Sequence, residues 1–171
     1  DHGAIVHYAA TPESDVSLKP EGLLLVDSGG HYLEGTTDIT RTFALGPVTD
    51  EMKDMFTRVC RSNMNLAHAK FKYGCCGLNF DILARAPFWD INMDYNHGTG
   101  HGVGFVLNVH EGPNSFHWKQ YPGRTAERVL EEGMITTDEP GIYLEGKFGI
   151  RTENELICRK GIKNEYGQFM Y

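Results

Sequence analysis

Residues 97–112 read HGTGHGVGFVLNVHEG, and the conformation of this stretch decides where its histidines point. His97 and His101 stand four apart, the spacing of two zinc ligands on one face of a helix. A helix is excluded here, because Gly98, Gly100, Gly102 and Gly104 would each cost roughly 1 kcal/mol in a helix interior. Alternating glycine instead fits an extended segment that another backbone or a ligand approaches closely. Residues four apart in a strand share a face, so His97 and His101 are expected to point the same way. His110 follows near the end of the stretch. One histidine is usually a satisfied structural residue; three within fourteen positions, amid this much glycine, point to a site.

Outward from this stretch, acids occupy positions where surface acids do not belong. Gly22 to Phe43 reads as two strands, with LLLVD apolar, turn chemistry at Gly29-Gly30 and Glu34-Gly35, and alternation in TTDITRTF. Asp27 continues the apolar run, which is costly unless the acid is paired or holds a metal. Asp38 lies eleven residues on, on the returning strand, so the two carboxylates can converge. Taken singly, either aspartate is explained by a turn or a strand end. Downstream, GMITTDEPGIYLEG and FGIRTENELICR also read as extended. Glu139 precedes Pro140, which biases it to β geometry. The alternation in FGIRTENELI places Arg151, Glu153 and Glu155 on one face, and a single arginine does not neutralise a converging cluster of four acids.

Between these segments the pattern is helical. Met52, Met55, Phe56, Val59 and Leu66 share a face from Asp50 to about Lys72, with Thr49 or Asp50 as the cap. A shorter helix is predicted over Asn79 to Ala86, ending at Pro87. Strands, helices, then strands make the chain α+β with a mainly antiparallel sheet. Its 171 residues suit one domain, taken as 1–171. The formal charge of −7 argues against general nucleic-acid binding, and no apolar run reaches membrane-spanning length. Cys60, Cys75, Cys76 and Cys158 form no CxxC pair and read as free thiols of a reducing, cytoplasmic compartment.

The candidates are then Asp27, Asp38, His101, Glu139 and Glu153. Four carboxylates and one imidazole suit Mn²⁺, Co²⁺, Fe²⁺ or Zn²⁺ better than a thiolate site would. Two divalent ions balance four carboxylates and would bring the chain from −7 to about −3, which favours a dinuclear site.

VDSGGHYLEGTTDITRTF, GTGHGVGFVLNVHEGP, DEPGIY and IRTEN together resemble the pita-bread metallopeptidases, most closely their cytosolic Xaa-Pro aminopeptidase branch. The resemblance runs from IVHY to the last strand. It implies a curved, mainly antiparallel sheet with helices on its outer face. It implies Asp27 as a chelating ligand of one metal, His101 and Glu139 as ligands of the second, and Asp38 and Glu153 as bridges. His7 and His110 resemble the two substrate-facing histidines that are not ligands, and His97 a further histidine near the proline pocket. Tyr143 and Arg151 match supporting positions.

The nine-residue step from His101 to His110 is the cue to the Xaa-Pro type, with prolidase as the runner-up. The implied cofactors are two divalent ions, Mn²⁺ first. The implied substrates are peptides with proline second, cut by a hydroxide held between the ions, with Glu139 or Glu153 shuttling the proton. A non-catalytic binding module would have lost ligands, and none is lost. Catalytic domains of this family begin well upstream of IVHY, so the chain is expected to be incomplete at its amino end. An uncovered sheet face would then drive self-association into a homo-oligomer, and peptidase activity would be low or absent in the piece.

Overall fold

The structure, a computed structural model, describes residues 4–120 and 128–171. Strands β1 (Leu23–Tyr32) and β2 (Gly35–Ala44) form one antiparallel hairpin in unbroken register, with Asp27 opposite Thr40 and Gly29 opposite Asp38. Positions 27 and 29 share a parity, so Asp27 and Asp38 stand on the same face of the ladder. Helix α1 (Asp50–Ala67) follows, and its N-cap is Thr49, whose side chain accepts from the Met52 amide. Met55, Val59, Asn63 and Leu66 recur at helical spacing and are buried, whereas Phe56 is exposed.

The helix stops at Ala67 rather than near Lys72. His68 leaves helical geometry, and β3 (Phe71–Lys72) is taken up by the final strand instead. A 3₁₀ turn at Gly77–Asn79 leads into α2 (Asp81–Trp89), which does not end before Pro87 but contains it. Proline leaves the carbonyl four residues back without its helical donor, and here Asn65 Nδ2 of α1 donates to Leu83 O at 3.3 Å.

The remaining strands are short: β4 (Gly100–His101), β5 (Ser115–Phe116), β6 (Ile135–Asp138), β7 (Gly141–Leu144), β8 (Phe148–Arg151), β9 (Asn154–Ile157), β10 (Lys160–Asn164) and β11 (Gly167–Met170). Every pairing among the described strands is antiparallel: β4 with β5, β6 with β9, β7 with β8, and β11 between β10 and β3. The extended reading of residues 97–112 holds as strand only at Gly100–His101; beyond it the backbone folds back, with Glu111 N donating to Gly102 O. The predicted single run through FGIRTENELI breaks at Thr152–Glu153, between β8 and β9.

The ladders are joined into one α+β arrangement by further backbone contacts. Glu139 N donates to Thr99 O, Glu153 N to Thr40 O, and Gly102 bridges Thr136. Helix α1 spans two apolar clusters. Met55 and Val59 pack with Phe88, Ile142 and Ile150, and Leu66 packs with Phe80, Phe116 and Met170. Among the described residues no helix is long and apolar enough to cross a membrane.

Candidate metal centre

Each candidate donor arrives from a different part of the chain, fixed by its strand. Asp38 comes from β2, with its amide donating to Glu155 Oε1 at 2.8 Å. His101 comes from β4, which lies tight against β6. A Cβ at Gly100 would collide with the Thr137 carbonyl, so only glycine allows this approach. Thr137 then links two donors, its Oγ1 accepting from His101 N at 3.0 Å and donating to Glu139 Oε1 at 3.1 Å. Glu153 sits at the β8–β9 break, buried, and accepts from Thr40 Oγ1 at 2.6 Å.

These side chains converge. Ligand atoms of Asp38, His101 and Glu153 lie within 4.8 Å of one another. His101 Nε2 stands 3.3 Å from Glu139 Oε1 and 3.5 Å from Asp38 Oδ2. Asp27 shares the hairpin face with Asp38 but is drawn to Arg151, whose Nη2 donates to Asp27 Oδ2 at 2.6 Å. Arg151 is fully buried and also donates to Tyr143 Oη at 2.8 Å and to Val6 O at 3.1 Å, which ties the segment beside His7 to the site.

The three histidines outside this group differ in setting. The His110 ring stands edge-on to His101 at 4.2 Å and is solvent-exposed. Burial lowers both His97 and His110, and a charge on His7 would add a smaller push in the same direction. The His97 ring packs against Tyr95 and Tyr143, its Nδ1 bonded to Gly98 O at 2.7 Å, while its Nε2 is buried without a partner among the described residues.

The electrostatics follow from burial and crowding. Burial first, then the Asp38 charge, lifts Glu139 to about 7 against the pull of His101 and Arg151. Burial, then the Glu139, Asp38 and Asp27 charges, lifts Glu153 to about 8 despite the Thr40 hydroxyl. Burial alone would lower His101, but its bonds to Asp38 and the Gly102 carbonyl and the nearby Glu139 charge outweigh it, so His101 ends raised. Burial drops His97 to about 4 and raises Tyr143 to about 12. The cluster thus retains protons that a divalent cation would displace, and its oxygen-rich donors with one imidazole fit divalent metal ions.

Several neighbours carry no mark in the sequence reading. Thr40 could have been found by alternation, two residues past Asp38 on the same face. Thr99, Asp81, Arg85 and Thr137 give no such signal. Asp138 is wholly buried, with neither carboxylate oxygen partnered among the described residues; burial and the Glu139 and Glu153 charges raise it well above the usual carboxylate range.

Fold and donor set together define a metal-centred protein of the pita-bread class. The chain belongs to metallopeptidase family M24, whose pattern matches residues 1–160. Aminopeptidase P1 of Arabidopsis thaliana is 45% identical over 157 residues, 91% of this chain and 24% of that protein. Xaa-Pro aminopeptidase 1 of Dictyostelium discoideum is 44% identical over 156 residues, again 91% of this chain and 24% of its own length. The chain therefore spans about a quarter of the curated relatives it matches. Among solved structures it is similar to X-prolyl aminopeptidase from Caenorhabditis elegans, described as a cytosolic enzyme with a di-nuclear active site. The TM-score is 0.89 at 37% identity, over 99% of this chain and 27% of that one. Prolidase from Pyrococcus furiosus is similar at TM-score 0.68 and 29% identity, over 79% of this chain and 38% of that one.

Proposed function

We propose that residues 1–171 are catalytic-domain sequence of a dinuclear metal-dependent Xaa-Pro aminopeptidase, which removes the residue ahead of a proline. The observation that carries this is the convergence of Asp38, His101, Glu139 and Glu153, from four separate segments, in a chain 45% identical to an aminopeptidase P1. Asp27, Asp38, His101, Glu139 and Glu153 would hold two divalent ions, Mn²⁺ before Co²⁺, Zn²⁺ or Fe²⁺. Such ions supply Lewis acidity and a nucleophile available at neutral pH.

The chain's own residues supply the rest. Glu139 or Glu153 would shuttle the proton from the attacking water to the leaving amine. His110, beside His101 and open to solvent, is placed to donate to a developing oxyanion, with His7 as its companion. Arg151, bonded to Tyr143, holds Asp27 in place, and His97 would face the proline side of the substrate, as the family resemblance implies. Peptides with proline second would be the substrates, neither nucleic acid nor membrane would be a partner, and the protein would act as a homo-oligomer in the cytoplasm.

The test is hydrolysis by the intact protein, with Mn²⁺ added and with chelator. An Xaa-Pro tripeptide should be cut well, an Xaa-Pro dipeptide poorly, and neither with chelator. Preference for the dipeptide would make the protein a prolidase; no cleavage of either would make it a binding module.

A further inference from the structure

Behind the metal centre, α2 sends a wholly buried arginine into an irregular segment of backbone. Arg85 Nε donates to Asp81 Oδ2 at 2.5 Å, and both side chains are fully shielded from solvent. Its Nη1 donates to Asp94 Oδ1 at 2.7 Å and Tyr95 O at 2.8 Å, and its Nη2 to His97 O at 2.7 Å. Asp81 also accepts from Thr99 Oγ1 at 2.6 Å, and Thr99 Oγ1 meets Tyr95 Oη at 2.6 Å. Burying such a charge pair adds little to stability compared with apolar residues of the same volume. What it does supply is a fixed backbone path, since residues 93–99 lie in no helix or strand and two of their carbonyls end on one guanidinium.

That path leads directly to two donors of the metal centre. Thr99 O accepts the Glu139 amide at 2.8 Å. Two residues on, His101 N donates to Thr137 Oγ1, which in turn donates to Glu139 Oε1. We propose that Asp81, Arg85 and Thr99 form a buried clamp that sets the spacing of His101 and Glu139 for metal binding, Thr99 being its positioning residue. The proposal rests on the reading that His101 and Glu139 hold a metal ion.

Thr99→Val keeps the shape of the side chain and removes both hydroxyl bonds, whereas Thr99→Ser keeps the hydroxyl. In the intact protein, Mn²⁺ affinity is read from the electron paramagnetic resonance of free Mn²⁺ during titration. Partners behind metal ligands typically contribute about 10–100-fold in affinity. Thr99→Val should therefore weaken Mn²⁺ binding by about tenfold, with Thr99→Ser restored to near wild type. A lower unfolding midpoint with unchanged Mn²⁺ affinity would mark Thr99 as merely structural and overturn the clamp. If Thr99→Val fails to fold, Asp81→Asn, which leaves one of the two bonds to Asp81 unmatched, decides by the same readout. Wild-type protein that takes up no Mn²⁺ overturns the metal reading and the clamp with it; uptake that Thr99→Val and Asp81→Asn leave intact overturns the clamp alone.

Discussion

Thr40 donates its hydroxyl to Glu153 Oε2 at 2.6 Å, joining β2 to the break between β8 and β9. The bond favours the charged form of a carboxyl that burial and neighbouring acids otherwise push up to about 8. Thr40→Val should raise Glu153 further and disorient it. The expected result is a Mn²⁺ affinity or a kcat/KM lower by about 10–100-fold, measured by metal titration and peptide hydrolysis. Equal affinity and turnover in the variant would show that Glu153 needs no such support.

The pH dependence of the metal-free protein has a definite sign. Glu139 at about 7, Glu153 at about 8, and the raised Asp138 and His101 all bind protons in the folded state that the unfolded chain has released. Stability therefore falls as pH rises through that range. His97, at about 4, and the lowered His110 act in the opposite direction, but only below the ordinary histidine value. The clean window runs from about pH 6.5 to about pH 8.5. In chelator the unfolding midpoint should drop across it. With saturating Mn²⁺ the drop should vanish or reverse, because the ions bind the deprotonated donors. A midpoint that climbs with pH in chelator would contradict the crowded-carboxylate picture.

His110 and His7 should separate turnover from metal content. Neither sits within the donor cluster, and His110 stands beside His101 facing solvent. Replacing either by Ala in the intact protein should lower kcat by roughly a hundredfold, the usual cost of an oxyanion donor. Metal content by elemental analysis should stay at the wild-type level. Proportional loss of metal would identify the replaced histidine as a ligand.

What the sequence disclosed, and what it hid, follows from how local each signal is. The β1–β2 hairpin, the Thr49 cap and the buried face of α1 rest on alternation, turn residues and periodicity within a few positions. Alternating glycine before His101 announced the close approach to Thr137. Pro87 misled because the Leu83 carbonyl it strands is met by Asn65, eighteen residues away. Asp27 was legible as a misplaced acid, but its bond to Arg151, 124 residues distant, was not. Arg85 looked like any polar residue of a short helix, since both carbonyls it serves lie in irregular chain. The alternation through FGIRTENELI did not mark the break between Arg151 and Asn154, where Glu153 sits.

The outer face of the hairpin carries the last prediction. Leu24 pairs with Phe43, Val26 with Arg41 and Ser28 with Ile39, so these side chains share the face opposite Asp27 and Asp38. Val26, Ile39 and Phe43 are 39%, 43% and 52% exposed, side by side on a two-stranded ladder. An apolar face of this kind seeks cover, and the hairpin pairs with no third strand among the described residues, so a strand of another copy can be added to it. The chain of residues 1–171 should therefore self-associate in a concentration-dependent way, seen by light scattering. Placing lysine at Val26 and Phe43 should shift it toward monomer, since charge on an exposed strand opposes both stacking and edge pairing. The substitutions lie on the face away from the donor cluster, so Mn²⁺ uptake should persist. A wild-type chain that stays monodisperse and monomeric up to high concentration would show that this face needs no cover.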